Sequence, residues 1–340
     1  MALDPLADIP IPAEIARLPK ADIHIHAEWS PRLDRVLAKR QGRKPYDWRA
    51  WARWLMQTEA PGGDRLQHLS KPFPELFEAD KRGDNFIARI VDIFEESAAD
   101  GSILAEIRPG KDMAERPECL ELIKAAAQKL RARYPRFQAA VIPFIYLQQD
   151  EDILEPLVKR YERWGKDGLI FGADLFNQPY ETEADWTGAY RIADRLASAG
   201  LGITAHVAEN SPVNIPAALK LPGLKRLGHA TQAGYHPHLL EQVAASGVTV
   251  EVALSCNVIL GAVPSYETHP IRRFVEAGVP ITLCTDDPVQ MSTTIGREYA
   301  LAHHLGFSKA DLLDFTRNAL RVAFVSEDMR KGLTAELQRE

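Results

Sequence analysis

The chain has 340 residues, 46% of them hydrophobic and 26% charged, with 41 Lys+Arg against 47 Asp+Glu and a formal charge of -6. This composition excludes a disordered, collagen-like or coiled-coil chain, and an acidic balance without a long basic run excludes the footprint of a dedicated nucleic-acid binder. No apolar run of ~18 residues predicts a membrane span, and three scattered cysteines (Cys119, Cys256 and Cys284) fit a reducing cytoplasm better than a disulfide framework.

In chain order, short apolar runs alternate with longer stretches of helical period. The start is broken by Pro5, Pro10, Pro12 and Pro19 and has no signal-peptide pattern. The first strand is expected over 21–26. It closes in His24-Ile25-His26, whose imidazoles share one side at strand period. Residues 30–79 exceed what a β/α unit needs and carry Tyr46, Trp48, Trp51 and Trp54. The spacing of three puts the tryptophans on one helical face. The segment is read as an insertion and partial aromatic lid, the competing reading being an anchor on the barrel wall.

A helix over 84–99 leads to a strand over 103–108, which closes in Glu106-Ile107-Arg108. A helix over 119–134, a strand over 139–146 and a helix over 152–164 follow. The fourth strand, 169–174, ends at Asp174. The fifth, 202–206, ends at His206 with Glu209 three residues on, and the sixth, 226–229, ends at His229. Strands over 249–254 and 280–285 complete the set, the last running into Asp286-Asp287. The tail, 308–340, reads as helical and is expected to pack outside.

Although ~150 residues per domain would suggest two domains, eight β/α units predict one (β/α)8 barrel over residues 1–340. A doubly wound sheet would need a glycine-rich turn after the first strand, where Ala27-Glu28-Trp29 stands instead. Barrel chemistry sits at the C-terminal ends of strands. Charged groups recurring there are not explained by packing. His24, His26, His206 and Asp286 form a three-His, one-Asp donor set that suits zinc and leaves room for water; Fe2+ or Mn2+ is also compatible. Glu209 is placed to move protons without ligating the metal. His229 is placed to orient the attacking water. Asp287 faces away from Asp286, and either contacts substrate or caps the helix after Pro288.

Together these motifs resemble the adenosine deaminase family of the amidohydrolase superfamily. The resemblance runs from Pro19 to about Phe324. Its landmarks are 19–28, Glu106-Ile107-Arg108, Gly172-Ala173-Asp174-Leu175, His206-Val207-Ala208-Glu209, Gly228-His229-Ala230, Ser255-Cys256-Asn257, His269-Pro270, Thr285-Asp286-Asp287-Pro288 and Glu298-Tyr299. It implies a zinc-dependent hydrolytic deaminase with His24, His26, His206 and Asp286 on the metal. Glu209 would protonate a ring nitrogen, His229 would position the nucleophile and Asp287 would bond the heterocycle. Glu28 would lie near a sugar hydroxyl.

The pocket wall departs from the family. Asn177 replaces a glycine whose backbone meets the purine, and Trp29 puts an indole where a ribose would lie. The expected partners are therefore water and a small amino-heterocycle: adenosine, adenine or a related 6-amino-purine. A pterin-like or modified purine ring is the alternative, as is an amide, lactone or phosphoester. Relatives that hydrolyse these last often bridge two metals with a carboxylated lysine at the fourth strand, and 170–175 holds no lysine.

Overall fold

The computed structural model describes residues 3–28, 31–69, 76, 79 and 81–338. Trp29 and Ser30 lie outside them. Among the described residues, nine parallel strand segments form the centre: β1 (Lys20–His26), β2 (Ser102–Arg108), β3 (Gln138–Val141), β4 (Phe144–Tyr146), β5 (Gly172–Phe176), β6 (Gly202–Val207), β7 (Leu224–His229), β8 (Thr249–Val252) and β9 (Ile281–Leu283). They pair in sequence as β1-β2-β3 and β4 through β9.

Two seams separate these sheets, and each is bridged. β3 and β4 are halves of the single strand expected over 139–146. Pro143 interrupts the ladder because it has no N–H. Ile142 N–H still donates to Ile107 O (2.9 Å) and Phe144 N–H to Pro109 O (3.0 Å), while Asp174 N–H reaches Pro143 O (2.9 Å). The other seam joins β1 to the residue just past β9. Asp286 N–H donates to His24 O (2.9 Å) and His26 N–H to Asp286 O (3.0 Å). Eight strand positions thus close in a ring with helices between them, a (β/α)8 barrel.

The fourth strand is displaced from its expected span of 169–174 to Gly172–Phe176. Leu169 N–H instead closes the preceding helix, Glu151–Lys166, on Trp164 O (2.8 Å), with Gly168 in the left-handed turn. Asp174 therefore sits mid-strand and points inward rather than standing at a strand end.

Along β1 the side chains alternate. Ala21 and Ile23 pack outward on Ala319 and Leu320 of the tail helix Lys309–Val322. Asp22, His24 and His26 take the other side. The interior is not the usual aliphatic filling. Arg108 bridges Asp174 (2.7 Å) and Glu251 (2.7 Å), and Arg226 bridges Glu106 (2.6 Å) and Glu251 (2.8 Å). All five are fully buried. Each charge has a partner of opposite sign, the condition for burying it at all.

The tail does more than cover the outside. Phe324 enters the barrel floor between the first residues of β5 and β6, and Arg226 stacks on its ring at 3.9 Å. Gly172 and Gly202 make room: a Cβ there would fall 1.9 Å and 2.3 Å from the ring.

In the insertion, helix Trp48–Thr58 buries Trp48 and Trp51 among Leu6, Ile259, Val289 and Met291. Tyr46 and Trp54 are exposed. Trp48 and Trp51 anchor the excursion on the barrel's loops, and none of the three tryptophans is among the described lining residues of the cavity. The next helix, Gly63–His68, contributes Leu66 and Gln67 to that lining. No helix among the described residues is long and apolar enough to cross a membrane.

Candidate metal centre and active site

His24 and His26 come from the end of β1, His206 from β6, and Asp286 from the seam beyond β9. Their donor atoms converge. Nε2 of His24 lies 3.4 Å from that of His26 and 3.0 Å from that of His206, and the remaining pair is 3.1 Å apart. Asp286 Oδ1 is 3.2 Å from His24 Nε2 and 3.1 Å from His26 Nε2. Zinc–nitrogen bonds of ~2.0–2.1 Å set tetrahedral edges of roughly 3.3 Å, so the cluster has the size of a coordination shell.

The rings are oriented from behind. Asp174 accepts from His206 Nδ1 (3.1 Å), and Glu251 faces His24 Nδ1 at 2.9 Å. With the protons on Nδ1, the Nε2 lone pairs of both rings point at each other across 3.0 Å. A cation between them relieves that contact, so the donor set fits a divalent metal. Glu251 escaped sequence reasoning, although a lone glutamate between Val250 and Val252 in a buried strand is the same signal that marked the histidines.

Backbone strain aims two of the side chains. His229 and Asp286 have φ of 64° and 62°, and Ala208 and Ala230 are also left-handed. Residues with a Cβ avoid this region, so the fold must hold them there. The two ladder bonds from β1 do so for Asp286.

A cavity of about 480 Å3 opens from this centre. Glu209, His229 and Asp287 line its metal end. Burial pushes the Glu209 carboxyl up to about 8, and the Asp286 charge adds to the push. Burial also keeps His229 neutral. Asp287 Oδ1 has no hydrogen-bond partner among the described residues. Burial and the Asp286 charge raise the Asp287 carboxyl far above its ordinary range. An unsatisfied oxygen in a cavity wall is a group waiting for a ligand.

Aromatic rings lead away from the metal end. Phe144 stands edge-on to His26 (4.9 Å) and His206 (5.1 Å). Tyr146 packs on Phe144 at 4.8 Å, and Tyr180 packs on Phe176 at 5.1 Å. Leu66, Gln67 and Leu69 of the insertion form part of the wall. No lysine or arginine is among the described lining residues.

Two residues expected at the substrate are absent from the described lining of the cavity. Glu28 accepts hydrogen bonds from the backbone N–H groups of Gly110, Lys111 and Asp112, at the start of helix Lys111–Glu115. Both of its oxygens are used there, which turns it away from the mouth. Asn177 donates to Asp185 O (3.0 Å) and accepts from Gln148 (2.7 Å). Its amide is spent within the loop. Trp29 lies outside the described residues.

Behind the metal end, Asn257 and His269 are joined in one buried chain of hydrogen bonds. Asn257 Nδ2 lies 3.2 Å from Glu209 Oε1 and 3.1 Å from His229 Nδ1. Its Oδ1 lies 3.2 Å from His269 Nε2. The sequence marks both residues only as landmarks of a resemblance.

Comparison with known proteins agrees with this geometry. Residues 19–340 match the family described as Adenosine deaminase. An adenine deaminase of Rhizobium leguminosarum bv. trifolii is 39% identical over 156 residues, 45% of this chain and 48% of the relative. An adenosine deaminase of Shewanella loihica is 36% identical over 171 residues, 50% of this chain and 48% of the relative. The chain thus spans about half the length of the curated relatives it matches.

Solved structures give the same fold over nearly the whole chain at 22% identity. An Arabidopsis N6-mAMP deaminase has a TM-score of 0.74, covering 96% of this chain and 99% of its own. An adenine deaminase of Arthrobacter aurescens has 0.72, covering 95% and 98%. An amidohydrolase of Burkholderia ambifaria with bound Zn has 0.75, covering 98% and 94%. With a match across 19–340 and this barrel around its histidine cluster, the chain belongs to the adenosine deaminase family.

Proposed function

We propose that the protein is a zinc-dependent hydrolytic deaminase of a 6-amino-purine or a closely related amino-heterocycle, releasing ammonia in the cytoplasm. The observation that carries this reading is three imidazole nitrogens and one carboxylate oxygen converging beside a carboxyl that burial keeps protonated near neutral pH. His24, His26, His206 and Asp286 would hold the metal, one ion per chain. A divalent cation bound there supplies Lewis acidity, which makes water a nucleophile near pH ~7.

The remaining work belongs to the side chains. An aromatic carbon bearing an amino group is a poor electrophile. Glu209 donates its proton to the adjacent ring nitrogen, which breaks the aromaticity and opens that carbon to attack. His229 orients the incoming water. Asp287, with Oδ1 unpartnered, meets a ring N–H. One proton of the water passes to the amino group, which leaves as ammonia when the C–N bond breaks; the other, on the new C–OH, returns to Glu209 and restores its acid, so that the products are the oxo-heterocycle and ammonia.

The aromatic wall suits a flat ring, which stacks or packs edge-on without needing hydroxyl partners. Glu28 and Asn177 are engaged elsewhere, so their side chains offer a ribose nothing. These features favour recognition of the heterocycle over recognition of its sugar, with adenine as the first ring to test and a modified purine or pterin-like ring next. The test is ammonia release from adenine, adenosine, pterins and cytosine by zinc-loaded protein, beside Glu209→Gln. The expected result is turnover of at least one amino-purine and a drop of about 10²–10⁴-fold in the variant. No release from any ring sinks the proposal.

A further inference from the structure

We infer that His269, acting through Asn257, decides which nitrogen of His229 carries its proton and which oxygen of Glu209 carries its own. The inference rests on the deaminase reading for its purpose, but not for its geometry.

The argument begins at a group whose polarity is beyond choice. The backbone N–H of Ile271 can only donate, and it points at His269 Nδ1 from 3.1 Å. His269 Nδ1 must therefore accept, and in a neutral imidazole the proton then sits on Nε2. His269 Nε2 lies 3.2 Å from Asn257 Oδ1, so it donates there. Thr231 Oγ1 donates to the same oxygen at 3.3 Å. Turning the amide over would set an N–H against the His269 N–H, so Asn257 has one orientation.

Its Nδ2 is consequently the end that faces the active site, 3.1 Å from His229 Nδ1 and 3.2 Å from Glu209 Oε1. His229 Nδ1 accepts, which leaves the proton on Nε2, the nitrogen turned toward Asp286 Oδ2 at 3.8 Å. Glu209 Oε1 also accepts, which leaves Oε2 as the oxygen to carry the acid proton. One amide thus presets both proton positions that the proposed reaction uses. All four side chains are buried, so water does not compete for these bonds. His269 touches no metal ligand in this chain of bonds; it is a positioning residue, as is Asn257.

The test compares two substitutions at one position. Glutamine in His269→Gln can still offer an N–H at the ε level. Measured at about pH 9.5, where even a carboxyl raised by burial is ionised, the carboxylate of His269→Glu can only accept, so Asn257 must turn its Nδ2 outward and present Oδ1 to His229. Nitrogen-15 NMR of zinc-loaded, histidine-labelled protein, with His229 assigned by loss of its signals in His229→Asn, reads the tautomer directly. The expected result is Nε2–H in the wild type and in His269→Gln, and Nδ1–H in His269→Glu. With a turned-over substrate, His269→Gln should stay within about threefold of wild type. His269→Glu should lose roughly 10²–10⁴-fold in kcat with little change in KM, the scale of a wrong-tautomer defect.

Should His269→Glu fail to fold, Asn257→Asp supplies an acceptor toward His229 and must give the same Nδ1–H tautomer. An unchanged tautomer in the folded variant overturns the inference. So does a His269→Gln defect as large as that of His269→Glu. Absence of turnover with the expected tautomer pattern would overturn the deaminase reading and leave the relay standing.

Discussion

His269 also gives the protein a measurable acid liability. Burial lowers its pKa to about 3, from 6.5 in an exposed histidine. Between those values the unfolded chain binds a proton that the folded chain refuses. Stability therefore rises with pH over this window, is complete above about 6.5, and falls by up to ~1.4 kcal/mol per unit as the pH drops. The Ile271 N–H aimed at Nδ1 adds to the cost of burial, since protonation would set two donors face to face. Urea unfolding at pH 7 and pH 5.5 checks this. His269→Gln should lose about 1–2 kcal/mol less than wild type between the two. Equal losses would mean that His269 titrates like an exposed residue. The residues that were legible in the sequence are those whose chemistry clashes with their setting: His24, His26, His206 and Asp286 stand at the ends of apolar strands, where packing has no use for them. Asn257 and His269 carry no such contrast. Their part depends on which atom faces which, and that exists only once the loops after β7 and β8 are folded against each other. Glu28 is drawn elsewhere for a related reason, because three backbone N–H groups at the start of a short helix donate to its carboxylate.

At the level of elements, periodicity located the strands well but not their ends. The fourth strand moved because a helix C-terminus claimed Leu169, and the third split because Pro143 cannot pair on both sides. The insertion shows a deeper limit. Three tryptophans at a spacing of three share a helix face, yet the face alone does not say what it meets. Trp48 and Trp51 are 6% and 7% exposed and packed on the barrel's loops, while Trp54 is 44% exposed. This division predicts unequal substitutions. Trp51→Ala should cost the insertion about 3–5 kcal/mol, whereas Trp54→Ala should stay within about 0.5 kcal/mol. Hydrogen exchange reads the difference: amides of Trp48–Thr58 and of Gly63–His68 should lose protection in the first variant and keep it in the second. Equal exchange in both variants would refute the anchor. Loosening should also reach the cavity, because Leu66 and Leu69 line it from the same excursion.

Across the whole molecule, one line of contact runs from the tail to the metal centre. Phe324 fills the barrel floor, Arg226 stacks on it, Arg226 pairs with Glu251, and Glu251 faces His24 Nδ1. Sequence reading could not anticipate this, since a phenylalanine after a surface helix looks like any exposed-to-buried transition, and Gly172 and Gly202 look like strand starts. The fit is specific enough to be tested by a double-mutant cycle. Phe324→Ala removes a buried ring and leaves Arg226 without its stack, at a cost of about 3–5 kcal/mol. Gly202→Ala places a Cβ 2.3 Å from the ring and must displace it or the strand. Gly202 is not among the left-handed glycines, so its substitution cost is steric rather than conformational. In the double variant the methyl enters space that the ring has left. The combined cost should therefore fall short of the sum by about 1–3 kcal/mol, measured by urea unfolding of all four proteins. Additive costs would mean that the ring does not occupy the floor between β5 and β6. Retention of a loaded divalent metal, with zinc as the probe, under a competing chelator gives the second readout. Both single variants should release metal faster than wild type if the floor steadies Glu251 and, through it, His24, and the double variant should recover part of that loss.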